Sequence, residues 1–144
     1  MLSDDHFMEE ALKEARKAFE AGEVPVGAVV VCEGIIVARA HNLTERLNDV
    51  TAHAEMQAIT AAANYLGGKY LDSCTLYVSL EPCPMCAGAL QWAQVRRIVF
   101  GADDPKRGFR TISRQMLHPR TKVTGGIKAA EAGKLMQEFF QMRR

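Results

Sequence analysis

No run of apolar residues in this chain is long enough to cross a bilayer. The longest, residues 24–32, is about half the roughly 20 residues that a spanning helix needs. The opening Met1-Leu2-Ser3-Asp4-Asp5 carries neither the positive nor the apolar region of a secretory signal, so a cytoplasmic protein with no membrane partner is expected. Cysteine is scarce: of the four present, two form one C-x-x-C, while Cys32 and Cys74 sit in apolar, strand-like runs and are expected to be reduced core residues. Internal repeats, linkers and low-complexity tracts are missing too, and 144 residues at 48% hydrophobic composition suit one domain spanning 1–144. Acidic residues are absent from one whole region. Between positions 106 and 130 there are seven Lys or Arg and no Asp or Glu, although the formal net charge is only +1, because acids gather in residues 1–6 and 9–23. Such asymmetry suits a phosphate-bearing partner on one face, the plain alternative being a solvated surface loop.

What the chain does contain is a metal-ligand inventory. His53-Ala54-Glu55 is followed, thirty positions after the histidine, by Cys83 in the run Pro82-Cys83-Pro84-Met85-Cys86. His53, Cys83 and Cys86 make three soft ligands, and Glu55 is a carboxylate left over. A structural zinc site is closed by four protein ligands, whereas a hydrolytic one keeps three and leaves the fourth position to water. Singly, each residue has a plainer reading: a helix-terminal histidine, a dipole-complementing glutamate, a redox or structural cysteine pair. A thiol-disulfide oxidoreductase using Cys83 and Cys86 is the alternative of another class, because a strand running into C-P-x-C at a helix start also reads that way. It leaves His53 and Glu55 unexplained.

Apolar positions at Phe7 or Met8, Ala11 or Leu12, Ala15, Ala18 and Phe19 predict an amphipathic first helix, capped within residues 3–5 and stopped at Gly22. Residues 24–31 and 35–40 predict two antiparallel strands joined by a tight hairpin at Cys32-Glu33-Gly34. A polar loop, 42–50, precedes an Ala-rich helix over 51–66 with Thr51 as its cap and Gly67-Gly68 as its terminator. A third strand (75–79), a helix (84–93), a fourth strand (97–100), a short fifth strand (122–124) and a closing amphipathic helix (127–142) complete the order. This α/β order implies a mixed five-stranded central sheet between helices, a three-layer α/β/α architecture. His53 then falls in the first turn of one helix and the cysteines straddle the first turn of another, so both macrodipoles favour thiolates at the metal. Pro82 and Pro84 stiffen that entry, and Glu55 can reach past the helix end beside the water.

H-x-E with P-C-x-x-C is the pattern of zinc nucleobase deaminases. Together with Glu23-Val24-Pro25-Val26-Gly27-Ala28, Asn42, Leu76-Tyr77-Val78-Ser79-Leu80-Glu81 and Val99-Phe100-Gly101-Ala102, it makes the chain closely resemble the bacterial tRNA-specific adenosine deaminases of the cytidine deaminase superfamily, over nearly its whole length. The resemblance implies the cytidine deaminase-like fold, one Zn²⁺ per chain on His53, Cys83 and Cys86, a homodimer, and a tRNA anticodon stem-loop as partner. It further implies hydrolytic deamination of the wobble adenosine to inosine with Glu55 as proton shuttle, the base being read by Asn42 and by backbone at Ala54 and Glu81. Phosphates would fall to Lys106, Arg107 and Arg110, a ribose hydroxyl to Asp103 or Asp104, and anticodon-loop contacts to Phe139, Phe140 and Arg143 in the basic tail ending at Arg144. At least one of the two phenylalanines is expected in the core. Free-base guanine or cytosine deamination is the alternative, since those enzymes share the metal motifs. The chain departs from the family in the run Arg107-Gly108-Phe109-Arg110-Thr111-Ile112-Ser113, where small residues are usual, and in Val50, where proline is common.

Overall fold

A computed structural model describes residues 2–143. Nine elements follow one another there: α1 (Asp4–Glu20), β1 (Gly27–Cys32), β2 (Ile35–His41), α2 (Ala54–Leu66), β3 (Cys74–Leu80), α3 (Pro84–Ala93), β4 (Arg97–Ala102), β5 (Lys122–Thr124) and α4 (Ala129–Met142). A turn of 3-10 helix lies at Phe109–Thr111. The strands form one mixed sheet in the order β2-β1-β3-β4-β5, antiparallel from β2 to β3 and parallel from β3 to β5. The β1–β2 hairpin closes through Glu33 and Gly34, both with positive φ (53° and 78°), the twist that suits a two-residue connection. A parallel pair needs a crossover, and α3 supplies it between β3 and β4.

Alternation along the strands divides the core into two layers. Ala28, Val30, Leu76, Val78, Ile98 and Phe100 pack with Ala58 and Ala62 of α2 and Leu90 of α3. Val29, Val31, Tyr77 and Val99 point the other way, onto Phe7, Met8, Ala11 and Leu12 of α1 and Ala132 of α4. The expected three-layer α/β/α fold is present. Close approach of α1 to the sheet depends on Gly27, where a Cβ would stand 2.1 Å from the Ala11 carbonyl oxygen and 2.3 Å from the Ala15 nitrogen.

Element starts differ from the sequence expectation in ways that matter to the site. Strand β1 begins at Gly27 rather than 24: Pro25 has no N–H to give a ladder, and Val26 turns its own N–H onto the Val24 carbonyl (2.8 Å). Helix α2 begins at Ala54 rather than 51. Thr51 does not cap it, because its N–H and hydroxyl both donate to Asp49 Oδ1 (2.8 and 2.7 Å), which closes the preceding loop and hands the N-cap position to His53. Helix α4 starts at Ala129, after Lys128 at φ 57°.

Candidate metal centre and cavity

His53 and Cys83 occupy equivalent places, each the N-cap of its helix in extended backbone (φ −70°, ψ 155° and φ −73°, ψ 169°), and neither side chain makes the usual cap hydrogen bond. Both side chains turn inward instead. Pro84, at the first helical position of α3, has no N–H to leave unsatisfied, and Cys86 stands one turn further on, fully buried. His53 Nδ1 lies 3.5 Å from Cys86 Sγ and 3.6 Å from Cys83 Sγ, and the three ligand atoms are within 4.8 Å of one another. A tetrahedral ion holding nitrogen at about 2.1 Å and sulfur at about 2.3 Å would set them about 3.6 Å apart, so the donor set and its spacing fit zinc.

The electrostatics agree. Hydrogen bonding from Cys86 holds the Cys83 thiol down to about 4 against the opposing effect of burial, with His53 helping. Cys86 is pushed well up by its bond to Cys83, by burial and by the neighbouring Glu55 charge. The pair therefore sheds its first proton more readily than its second, and a divalent ion on both sulfurs would favour the second thiolate as well. Glu55, in the first turn of α2, is 4% exposed, and burial above all pushes its carboxyl up to about 7, with the Cys83 charge adding to the effect. A carboxyl poised near neutrality can both take and return a proton.

These groups lie in the wall of a cavity of about 740 Å³. Of the residues expected to bind substrate, Asn42, Ala54, Glu81, Asp104, Lys106, Arg107 and Phe140 line it, as does Asp103. Asn42 is 7% exposed; its Oδ1 accepts from the Thr44 N–H (3.3 Å) and its Nδ2 donates to the Val24 carbonyl (3.4 Å), so it shapes its loop as well as the cavity.

Three expected contacts fall elsewhere. Phe139 is buried against Phe19 of α1, edge to face at 5.9 Å, because neighbouring helical positions point about 100° apart and only one of the pair can face the cavity. Arg143 stacks over the Phe139 ring (4.7 Å) and donates to the Gly22 carbonyl, so its guanidinium joins α4 to the end of α1 instead of reaching the cavity. Arg110 is drawn inward by the buried carboxylate of Glu81 and does not line the cavity. Arg144 lies outside the described residues.

Sequence reasoning passed over Gly133 and Met136, which also line the cavity; Met136 stands one helical turn before Phe140 and was legible from that spacing. It assigned no role to Glu23, quoted only within the resemblance; the residue is 1% exposed, and its carboxylate accepts the N–H groups of Glu45 (3.0 Å) and Arg46 (2.8 Å) and so pins the loop that carries Asn42. No local pattern announces such a bond across 22 and 23 positions.

Comparison with known proteins gives the same picture. The model of the cytidine and deoxycytidylate deaminase zinc-binding region matches residues 1–102. A tRNA-specific adenosine deaminase of Agrobacterium fabrum is 45% identical over 149 aligned positions, covering 100% of this chain and 98% of that one. A solved structure from a study of A-to-I editing by tRNA:A34 deaminases at the wobble position superimposes with a TM-score of 0.84 at 47% identity, covering 90% of this chain and 98% of the other. Guanine deaminase from Nitrosomonas europaea shares the fold at a TM-score of 0.83 and 25% identity, over 96% of this chain and 85% of that one. The family model over residues 1–102 and the full-length likeness to a curated relative show that the chain belongs to the family of the cytidine and deoxycytidylate deaminase zinc-binding region, within the group of the tRNA-specific adenosine deaminases.

Proposed function

We propose that this hydrolase converts adenosine to inosine at the wobble position of a tRNA anticodon loop. One observation carries the reading: a buried carboxyl, Glu55, stands beside the His53, Cys83 and Cys86 cluster in a cavity also lined by Lys106, Arg107 and the half-exposed Phe140. Zinc on the three ligands supplies the Lewis acidity that makes water nucleophilic at neutral pH. Glu55 accepts a proton from the attacking water, delivers it to N1 of the purine as the new C6–O bond forms, and then moves a proton to the exocyclic amine. The C6–N bond breaks, ammonia leaves, and inosine remains. Asn42 has a second amide hydrogen for the base edge after its bond to Val24, and backbone at Ala54 and Glu81 lines the same wall. An adenine paired inside a helix could not reach Glu55, so the substrate is an unpaired loop nucleotide flipped into the cavity. Lys106 and Arg107 take backbone phosphates, Phe140 offers a ring for a neighbouring base, and Asp103 and Asp104 offer carboxylates to a ribose hydroxyl.

The enzyme works in the cytoplasm, where its substrate is, and as a homodimer. The dimer reading is supported by Tyr65 on α2 and Met85 and Trp92 on α3, large apolar side chains exposed on neighbouring helices; Trp92 is 80% exposed. Among the described residues, no helix is long and apolar enough to cross a membrane. Kinship of fold with a guanine deaminase keeps free-purine deamination as the second reading. A thiol-disulfide exchange site would need neither the imidazole nor the buried carboxyl that the fold brings to the same sulfurs.

The test is a paired assay on zinc-quantified protein. Inosine in an anticodon stem-loop with adenosine at the wobble position, with free guanine, cytosine and adenosine inert, is the expected result; turnover of free guanine alone would transfer the function to base salvage. Glu55→Ala should keep its zinc and lose turnover by about 10²–10⁴-fold, whereas Cys83→Ala should lose both. A zinc-free, active Cys83→Ala protein would overturn the mechanism.

A further inference from the structure

Glu81 ends its run at the close of β3, two residues before Cys83, and is 4% exposed. Its carboxylate accepts four hydrogen bonds from one loop: from the backbone N–H of Asp104 to Oε1 (3.1 Å), from the backbone N–H of Arg110 to Oε2 (3.2 Å), and from the Arg110 guanidinium through Nε (3.1 Å) and Nη2 (3.0 Å). Arg110 Nη2 also meets Asp103 Oδ1 (2.9 Å), and its guanidinium carbon lies 4.9 Å from the centre of the Phe100 ring. The loop backbone comes so close that a Cβ on Gly108 would stand 2.3 Å from the Glu81 carboxylate. Beside it, the Phe109 N–H donates to the Pro82 carbonyl (2.8 Å), with the Phe109 ring 1% exposed. Residues 103–110 are thereby stitched to the dipeptide that leads into Cys83.

Between those stitches the loop makes a tight turn. Asp104 Oδ1 accepts the N–H groups of Lys106 (3.2 Å) and Arg107 (3.0 Å), and the Asp104 carbonyl accepts from Gly108 (2.9 Å). The turn carries Lys106 and Arg107 at the cavity wall, where, among the described residues, neither forms an ion pair. Arg110 is different: its charge is matched by Glu81 and Asp103 and faces the protein.

We propose that Arg110 is a positioning residue for substrate: by closing on buried Glu81 it fixes the 103–110 loop to the dipeptide that leads into Cys83, so that Lys106 and Arg107 meet RNA phosphates at a set distance from the reacting base, and it touches no phosphate itself. This rests on the RNA reading given above. The bidentate, planar fork is essential to it, because one guanidinium spans both Glu81 oxygens and a lysine ammonium cannot.

Salt dependence separates an anchor from a phosphate ligand, since each phosphate contact to single-stranded nucleic acid adds about 0.7 to the slope of log K against log salt. Binding of the anticodon stem-loop to zinc-loaded protein would be titrated over a salt series for wild type, Arg107→Ala, Arg110→Ala and Arg110→Lys. Alongside, turnover and amide hydrogen exchange of residues 103–110 would be measured. Arg107→Ala should flatten the slope by about 0.7. Arg110→Ala should keep the wild-type slope, raise KM about tenfold with kcat within about twofold, and speed exchange at Asp104 and Arg110, whose N–H groups bond Glu81. Arg110→Lys keeps the charge and should behave like the alanine variant; it also stands in should the alanine protein not fold. A slope flattened as in Arg107→Ala, or full rescue by lysine, would overturn the proposal. Wild-type protein that binds no RNA would sink the RNA reading, and the exchange arm would still decide the anchor: loop amides as protected in Arg110→Lys as in wild type would refute it.

Discussion

His53 and Cys83 share a property that their motifs do not display: each is an N-cap whose side chain is turned to the ligand cluster and makes no usual cap hydrogen bond. Ordinarily a side chain at that position accepts an N–H from the first turn, and substituting a good cap for a poor one is worth about 1 kcal/mol. Here both side chains are turned toward the cluster, and the first-turn amides of α2 and α3 are left to favour negative charge at the sulfurs. Stability is thus given up locally for ligand geometry. His53→Ser should make the zinc-free protein more stable by about 1 kcal/mol while abolishing metal binding and turnover. Urea unfolding in chelator, set against zinc content, checks both halves; a serine variant no more stable than wild type without zinc would show that the helix start is already satisfied. At this scale the ligands and Glu55 were legible in the sequence, because H-x-E and C-x-x-C act over a few positions of one chain segment. The choice between Phe139 and Phe140, or between Arg107 and Arg110, was not. Facing is decided by what stands opposite, α1 in one case and Glu81 in the other.

The helices and strands were legible in number and order, since periodicity and Gly or Pro punctuation are properties of contiguous sequence. Their starts were less so: Thr51 was a sound cap in isolation and lost that role to Asp49, which holds both of its donors. Between elements, a longer-range tie joins the start of α1 to the sheet. Asp4 receives both guanidinium nitrogens of Arg97 on β4 (2.9 and 2.7 Å) and the Tyr77 hydroxyl on β3 (2.7 Å). The Arg97 hydrogen bond, aided by Tyr77 and opposed by burial, holds the Asp4 carboxyl below its ordinary range. A carboxyl whose folded pKa is depressed contributes stability above its unfolded value, near 3.9, and loses that contribution as pH falls through the lower folded value. Asp4→Asn should therefore cost about 1–2 kcal/mol at pH 7. That difference should narrow as pH drops below about 4. Denaturant midpoints of the two proteins at pH 7 and at pH 3 measure it, and an undiminished gap at low pH would assign the loss to packing instead of charge.

Over the whole molecule, the metal cluster joins helices that the chain separates by thirty positions, and the join is a folding constraint as well as a catalytic one. An ion that binds only the folded state at a thousandfold excess over its Kd adds about 4 kcal/mol. Removing zinc with a chelator should lower Tm by on the order of 10 °C, reversibly on adding zinc back. Calorimetry of metal-loaded and stripped protein reads this directly, and an unchanged Tm would mean that the three ligands are held in place without the ion.

The sequence by itself determined which atoms could do chemistry and the order of elements that carries them: a histidine, two cysteines and a glutamate on two helix starts, within an α/β pattern that implies a mixed sheet between helices. These depend on neighbours within a turn or a strand. Only the tertiary structure decided where the cavity wall runs. Glu81 captures Arg110 across 29 positions, Glu23 holds a loop across 22 and 23, and α1 takes Phe139 and Arg143 away from the substrate side. A buried carboxylate must be matched by whichever donors the fold brings within reach, and that choice is made in space after the chain has closed on itself.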